Sequence, residues 1–128
     1  MEDNHISDPR TRRFVGALRR FEQDADSDEL LGQFAADATV SRLDARGERT
    51  DLAEFWQEYR RSFEKLSTTF VNAVEGEDQV ALEWTTAATL PGGKPIEYSG
   101  VTVLDLAPEA VARLRTYYDS AGFVTSGA

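Results

Sequence analysis

The chain has no cysteine among its 128 residues and a single histidine, His5. The absence of cysteine excludes disulfide bonds, thiolate metal sites and cysteine nucleophiles. His5 lies in an acidic N-terminal stretch, a position typical of a solvated tail rather than of a general base. The sequence also lacks a run of about 18 apolar residues, the length of a membrane-spanning helix, and its N-terminus lacks the apolar stretch of a secretory signal. We therefore expect a cytoplasmic protein without a membrane span.

Positive charge is scarce, since 23 acidic residues against 14 basic ones give a net charge of −9. A surface of this sign argues against nucleic acid and against anionic membranes as partners. Neither a phosphate-binding glycine loop nor a metal-ligand spacing is visible, so we predict no cofactor and no metal. The length fits one domain, which we place at residues 8–122, with flexible tails at 1–7 and 123–128.

Three helices are predicted in the first half of the chain. Asp8 and Pro9 form an N-cap and a first helical position. Ser27 begins a second, short helix, and Thr50 is expected to cap the third. An apolar stripe at helical spacing marks the third helix and predicts that it packs on the core. The stripe consists of Leu52, Phe55, Trp56, Tyr59, Phe63 and Leu66.

Five strands are predicted, and two of them are unusually long. Long antiparallel strands twist and coil, so this sheet is expected to curve around the helices, and Gly100 within it indicates a bend or bulge. The order of elements predicts an α+β fold, in which three N-terminal helices pack on a strongly curved antiparallel sheet and enclose a pocket. The predicted strands are residues 38–43, 68–75, 79–90, 96–106 and 111–119.

Several short motifs follow one another in an order and spacing that point to a known family. They are FAADATV at residues 34–40, EFW at 54–56, LPGGKP at 90–95, YSGV at 98–101 and LRTYYD at 114–119. With these motifs the chain resembles the SnoaL-like and ketosteroid-isomerase-like branch of the nuclear transport factor 2-like superfamily. The resemblance implies a conical α+β fold with a pocket between a curved sheet and three helices.

The resemblance also implies a function. It suggests an enzyme of isomerase, cyclase, dehydratase or hydrolase type that acts on a lipophilic small molecule by cofactor-free general acid–base chemistry. The alternative is a non-catalytic ligand-binding or dimerisation module, which the same fold also supports. The catalytic residues of classical ketosteroid isomerases are absent, because Phe14, Arg42 and Thr102 occupy their positions. The catalytic set of limonene-epoxide-hydrolase-like members is absent as well.

The strand at 79–90 has two possible registers. Alternation alone would bury Val80, Leu82 and Trp84, whereas the resemblance turns Glu83 and Thr85 into the pocket. We follow the resemblance, which makes Glu83 the one pocket carboxylate and the candidate acid or base, with Arg42 beside it. A structural Glu83–Arg42 ion pair, or an exposed Glu83, is the alternative. The expected substrate-binding residues are Phe14, Val40, Trp56, Tyr59, Thr85, Tyr98, Thr102, Leu114, Thr116 and Tyr118.

This register leaves an apolar patch on the outer face of the sheet. A patch of that kind is too apolar to remain in water, so we predict a homodimer through this face. The residues expected in the interface are Leu82, Trp84, Val101, Val103, Arg115 and Tyr117.

Overall fold

The first helix, α1 (Pro9–Asp24), begins at the cap that the sequence predicts. The Asp8 carboxylate accepts a hydrogen bond of 2.8 Å from the backbone N–H of Arg10, and Pro9 takes the first helical position. The helix ends at Ala25, whose backbone is left-handed with a φ of 62°. These features belong to a computed structural model, which describes residues 6–42 and 46–123.

Two further helices follow, and the second of them is shorter than predicted. Helix α2 spans Asp28–Leu31, and α3 spans Leu52–Arg61 rather than reaching residue 66. Phe63 and Leu66 are buried as expected, but Phe63 lies in the turn after α3 and Leu66 lies in a strand. The apolar spacing continued because the chain keeps the same side toward the core while it changes from helix to strand.

A five-stranded curved sheet packs against these helices and confirms the α+β prediction. The last four strands form an antiparallel meander, as expected. The first strand pairs in parallel with the last one and begins earlier than predicted, while Leu43 of the predicted strand lies outside the described residues. The strands are β1 (Phe34–Ser41), β2 (Lys65–Glu75), β3 (Gln79–Thr89), β4 (Pro95–Leu106) and β5 (Val111–Tyr118), in the sheet order β1-β5-β4-β3-β2.

Both predicted tails contain residues that belong to the fold. Ile6, assigned to the N-terminal tail, is 1% exposed and joins the core. The backbone N–H groups of Ser7 and Asp8 donate to the Glu75 carboxylate at 2.9 Å each, which fixes the entry to α1. At the other end, a 3-10 helix (Ser120–Phe123) places Phe123 against the sheet. The domain therefore extends at least from residue 6 to residue 123.

Gly100 in β4 allows a close approach rather than the bend or bulge expected from the sequence. Pairing between β3 and β4 continues without a register shift at this position, and Gly100 pairs with Trp84. A Cβ atom on Gly100 would overlap the carbonyl oxygen of Tyr117 and lie 2.7 Å from Cζ2 of Trp84. The missing side chain is the space into which the Trp84 ring fits.

Replacement of Gly100 by alanine is therefore expected to destabilise the fold by about 1–3 kcal/mol, because the methyl group overpacks the sheet against the Trp84 ring. The free energy of unfolding in urea measures this effect. Gly16→Ala in α1 is the matched control, since its Cβ would come no closer than 3.4 Å to the flexible end of Arg20. We expect the control to be neutral or stabilising, because alanine is the better helix former. Equal effects of the two substitutions would contradict this account of Gly100.

Candidate functional site

A cavity of about 130 Å³ lies between α1, α3 and the inner face of the sheet. Most of the residues that line it are aromatic, and both tryptophans of the chain are among them. Among the described residues that line it, Arg42 and three tyrosines are the ionisable ones. The lining includes these residues singled out from the sequence: Phe14, Arg42, Trp56, Tyr59, Tyr98, Thr102, Leu114, Thr116 and Tyr118.

Three of the predicted site residues do not line the cavity. Val40 is fully buried in the core, outside the cavity wall. Glu83 and Thr85 lie on the outer face of β3, so the prediction that they enter the pocket is wrong. Glu83 is exposed, and its Oε1 accepts a hydrogen bond of 2.7 Å from the side-chain amide of Asn72. The alternative from simple alternation, an exposed Glu83, is the observed one.

Strand pairing explains why this register was wrong. In an antiparallel pair, residues directly opposite each other lie on the same face of the sheet. Thr102 pairs with Leu82 in β3 and with Thr116 in β5, so all three must share a face. Thr102 and Thr116 line the cavity, and this placement requires the inward residues of β3 to be Leu82 and Trp84. The same pairing removes Leu82 and Trp84 from the predicted outer interface.

Arg42 lies beside the pocket without the predicted partner. Its Nη2 donates to the Phe55 carbonyl oxygen at 2.7 Å and lies 3.7 Å from Oε1 of Glu58. The guanidinium carbon is 4.2 Å from the centre of the Phe55 ring, a cation–π geometry. A Glu83–Arg42 ion pair is therefore excluded, since these two residues lie on different sides of the sheet.

Among the residues that the structure describes, the buried carboxylate is Glu22 on α1, which was not predicted as a site residue. Glu22 is 3% exposed. Its Oε2 accepts hydrogen bonds from the Tyr59 hydroxyl at 2.6 Å and from the Thr68 hydroxyl at 2.7 Å. Its Oε1 accepts from the Thr68 backbone N–H at 3.0 Å. Tyr59 and Thr68 line the cavity, so Glu22 stands directly behind the cavity wall.

A third hydroxyl extends this hydrogen-bonded chain along the wall. Thr86 and Thr68 share a hydrogen bond of 2.8 Å between their hydroxyl oxygens. When Glu22 is ionised it only accepts, so the Thr68 proton points to Glu22 and the Thr86 proton must point to Thr68. The hydroxyl protons of this hydrogen-bonded series are thus all directed toward the Glu22 carboxylate.

Burial sets the protonation of this group of residues. It raises the pKa of Glu22, although hydrogen bonds from Tyr59 and Thr68 partly oppose the shift. Burial, together with the charge of Glu22, raises the pKa of the Tyr59 hydroxyl well above its usual value. Tyr59 therefore stays protonated near neutral pH. The pKa of Glu22 is shifted toward neutral pH, where a carboxyl group can both accept and release a proton.

On the sheet side of the cavity, the polar side-chain groups are hydrogen-bonded to one another. The Trp84 indole N–H donates to the Thr102 hydroxyl at 2.9 Å. The Thr102 and Thr116 hydroxyls are 3.0 Å apart and share a further hydrogen bond. Burial raises the pKa of the nearby Tyr98 hydroxyl, which keeps its proton. This wall is consequently an apolar surface with its own polar atoms already satisfied.

Neither a metal-binding group of side chains nor a membrane-spanning helix occurs among the described residues. Within residues 6–42 and 46–123, no group of three or more histidine or acidic side chains has the geometry to hold a metal ion. In the same ranges, no helix has the length and apolar character needed to cross a membrane.

The sequence matches the model of a known protein family. The family model described as a SnoaL-like domain matches residues 11–114, which is most of the sequence. The chain belongs to the SnoaL-like domain family. No curated protein sequence matches it significantly.

Solved structures with the same fold share little sequence with this SnoaL-like domain. A ketosteroid-isomerase-like protein from Catenulispora acidiphila, in complex with trimethylamine, is 21% identical, with a TM-score of 0.75 over 94% of this chain and 95% of that one. TerC, co-crystallised with polyporic acid, is 15% identical, with a TM-score of 0.76 over 91% and 95%. A putative polyketide cyclase from Xanthomonas campestris pv. campestris is 16% identical, with a TM-score of 0.71 over 93% and 97%. At these identities the likeness establishes the fold.

The remaining lining residues of the SnoaL-like domain, and Glu22 behind them, were not selected from the sequence. The sequence nevertheless contains a signal for some of these residues. Glu22 follows Leu18 by four positions and so falls on the apolar face of α1, where a lone acid is unusual. Inward alternation in β3 would have found Trp84 and Thr86. The additional lining residues are Leu18, Phe55, Ser62, Phe63, Thr68, Phe70, Trp84, Thr86 and Phe123.

The raised pKa of Glu22 predicts a pH dependence of stability. The unfolded carboxyl group, with a pKa of about 4.5, loses its proton before the folded one does. Relative to a Glu22→Gln variant, the native protein should therefore lose stability as the pH rises from about 4.5 through the folded pKa, by about 1.4 kcal/mol for each unit of pKa shift.

Urea unfolding between pH 4 and pH 8 measures this slope. Only the slope is compared, because the glutamine also removes hydrogen-bond acceptors and lowers stability by a constant amount. Glu83→Gln, at an exposed position, is the control and should run parallel to the native protein. A Glu22→Gln curve that is also parallel would contradict the raised pKa.

Proposed function

We propose that this SnoaL-like domain is a cofactor-independent enzyme that moves protons on a lipophilic small molecule, in a reaction of the isomerase, cyclase, dehydratase or hydrolase type. One observation carries the proposal. Glu22 is buried directly behind an apolar cavity, and its carboxylate accepts hydrogen bonds from two hydroxyl groups that line the cavity wall. Carboxyl groups tuned in this way by burial serve as general acids and bases.

The chemical step is a relayed proton transfer. A C–H bond next to a substrate carbonyl breaks, and its electron pair remains on the substrate as an enolate. The proton passes to the Tyr59 hydroxyl oxygen while the Tyr59 proton moves to Glu22, so the tyrosine is unchanged and Glu22 becomes neutral. The reverse relay returns a proton to another atom of the substrate. The Thr86–Thr68 pair offers a parallel route to the same carboxylate.

A second cleft also reaches this relay. It has a volume of about 240 Å³ and is lined by Glu22 and Thr68 together with Arg19 and Gln23. In the proposed mechanism, Glu22 exchanges its proton with water through this cleft rather than through the substrate site.

The lining of the cavity supports a lipophilic, flat substrate. Aromatic side chains dominate the wall, and rings pack well against flat apolar molecules. The neighbours of known structure agree in a general way, since one was crystallised with polyporic acid and another is described as a putative polyketide cyclase.

A non-catalytic binding domain is the second candidate. Within residues 6–42 and 46–123, no histidine or carboxylate lines the cavity itself, and Glu22 acts only through hydroxyl groups. A binding protein would use the same aromatic wall and would keep Glu22 as a structural link between α1, α3 and β2. The two candidates differ in whether Glu22 affects a reaction or only stability.

Exchange of the α-protons of 2-tetralone in D2O tests the proposal. This small aromatic ketone fits the expected substrate class, and NMR follows its deuteration. Binding is measured first by fluorescence, because Trp56 and Trp84 both line the cavity. We expect the native protein to accelerate exchange, with a rate that rises with pH as Glu22 ionises. Glu22→Gln should bind the ketone but lose about a hundredfold in rate and the pH dependence.

Glu83→Gln is the matched control and should behave as the native protein does, because Glu83 lies on the outer face. If the ketone binds but its protons exchange at the same rate with native protein and with Glu22→Gln, the relay is wrong and the binding domain is favoured. A flat pH profile in the native protein would have the same meaning.

We also propose that two copies associate through the outer face of the sheet and that the protein acts in the cytoplasm. With Leu82 and Trp84 turned inward, the proposed interface keeps Val101, Val103, Arg115 and Tyr117. Tyr117 is 50% exposed, and the two valines of β4 retain partial exposure. Apolar groups in this arrangement favour burial against a second copy.

Sedimentation of the native protein is expected to give twice the 14.2 kDa chain mass. Val103→Glu should shift the mass toward the monomer, because a charge would be buried in the interface. Ala53→Glu places the same charge on the exposed side of α3 and should leave the mass unchanged. A native monomer at micromolar concentration would exclude the dimer.

A further inference from the structure

Both tryptophans of the chain line the aromatic cavity, but their indole N–H groups differ in hydrogen bonding. The N–H of Trp84 donates to the Thr102 hydroxyl at 2.9 Å. The N–H of Trp56 is buried and has no hydrogen-bond partner among the residues that the structure describes. An indole N–H only donates, so what this group lacks is an acceptor.

A buried donor in this state is uncommon in folded proteins. The large majority of buried polar side-chain atoms have a partner, because a donor that has left water without gaining an acceptor destabilises the fold. Trp56 is only 5% exposed, so bulk water does not compensate for the missing bond. A molecule that brings an acceptor to the Trp56 nitrogen would therefore gain a hydrogen bond without breaking an existing one.

The protein surrounds Trp56 with aromatic carbon. Five rings contact the indole, with ring centroids 5.2–6.4 Å away, and among them only Tyr59 carries an oxygen atom. That hydroxyl group donates to Glu22 at 2.6 Å. Phe21 and Phe34 pack on the indole from outside the cavity wall, so an acceptor can approach from the cavity side. The five rings belong to Phe14, Phe21, Phe34, Phe55 and Tyr59.

The lining threonines differ from Trp56, because each already has a partner. Thr68 and Thr86 share a hydrogen bond along one part of the wall, and Thr102 and Thr116 share another on the sheet side. A ligand that engaged these hydroxyl groups would compete with bonds that the fold has already formed. The Trp56 N–H is the donor that a ligand can use without such competition.

Helix α3 places Trp56 beside the proposed proton relay. Trp56 precedes Tyr59 by three positions, so the two side chains are neighbours on one face of the helix. Their ring centroids are 5.7 Å apart. A ligand whose carbonyl oxygen accepts from the Trp56 N–H can therefore present the adjacent carbon atom to the Tyr59 hydroxyl.

We infer that Trp56 is the hydrogen-bond donor of the ligand site, and that the ligand is a flat aromatic compound whose carbonyl oxygen accepts from the Trp56 N–H. The aromatic side chains bind the body of the molecule, while this one bond fixes its orientation. The inference rests on the proposed function in that it uses the same cavity, and it specifies the substrate class. In the proposed reaction, the same N–H would also stabilise the enolate oxygen.

Proton–nitrogen correlation NMR of isotope-labelled protein tests the inference, because the two tryptophans give two indole signals. The probes are 2-tetralone and tetralin, which share one ring system and differ in the carbonyl oxygen. We expect 2-tetralone to move the Trp56 proton signal further downfield than tetralin does, as a hydrogen bond to oxygen requires. The Trp84 signal is the internal control and should respond alike to both probes, because its N–H already has an acceptor.

The same titrations give affinities, which two variants then compare. Trp56→Phe removes the N–H and keeps an aromatic ring. It should reduce the preference for 2-tetralone over tetralin by about tenfold, while tetralin reports any change in the shape of the cavity. Trp84→Phe makes the same exchange in the sheet wall and should keep the native preference. Either variant assigns the two indole signals, so the NMR comparison on native protein stands even if Trp56→Phe does not fold.

Equal movement of the Trp56 signal with both probes would overturn the inference, and the N–H would then be explained by a weak contact with the face of a neighbouring ring. A preference that survives in Trp56→Phe would also overturn it, as would failure of 2-tetralone to bind at millimolar concentration.

The outcome is separate from that of the deuterium-exchange experiment. A hydrogen bond from Trp56 to 2-tetralone without Glu22-dependent exchange would support the ligand class and remove the enzyme. Exchange that depends on Glu22, without a carbonyl-specific response of the Trp56 signal, would leave the enzyme and overturn the role of Trp56.

Discussion

The burial of one carboxylate connects two helices and two strands of this fold. Glu22 projects from α1 and is contacted by Tyr59 from α3 and by Thr68 from β2, so two consecutive elements meet α1, far from them in sequence, at two oxygen atoms. Thr86 links β3 to the same group. An ionised carboxyl group is stable in such a place only when its oxygens are hydrogen-bonded. The relative positions of α1, α3 and β2 are consequently constrained by the need to satisfy Glu22, and the two residues that do so, Tyr59 and Thr68, are part of the cavity wall.

Much of the architecture was predictable, because it depends on patterns that the sequence carries locally. The Asp8–Pro9 start of α1 and the long strands of the meander follow from capping and alternation, whereas the inward side of β4 and β5 was taken from the family resemblance. The predictions that failed concern segments whose local sequence pattern fits two different secondary structures. The apolar spacing after Tyr59 fits a longer helix equally well, and only the alternating burial of β2 shows that a strand has begun.

The candidate site was predictable in its aromatic wall but not in its chemistry. The inward side of β3 is decided by its pairing with β4, and an inward Thr102 cannot be combined with an inward Glu83. That relation joins residues on different strands, so neither strand reveals it alone. Glu22 was not predicted as a site residue for a related reason. Its place on the apolar face of α1 is visible in the sequence, but the partners that make burial tolerable, Tyr59 and Thr68, come from distant elements.

The fit between Trp84 and Gly100 has a consequence for how this cavity can change in evolution. The indole ring occupies the volume that a side chain at position 100 would fill, and the two residues face each other across paired strands. A side chain at 100 would also meet the backbone carbonyl oxygen of Tyr117, which a smaller residue at 84 would leave in place. Position 100 should therefore stay glycine while the backbone of the sheet is kept. Because Trp84 lines the cavity, this glycine also preserves the shape of the ligand site.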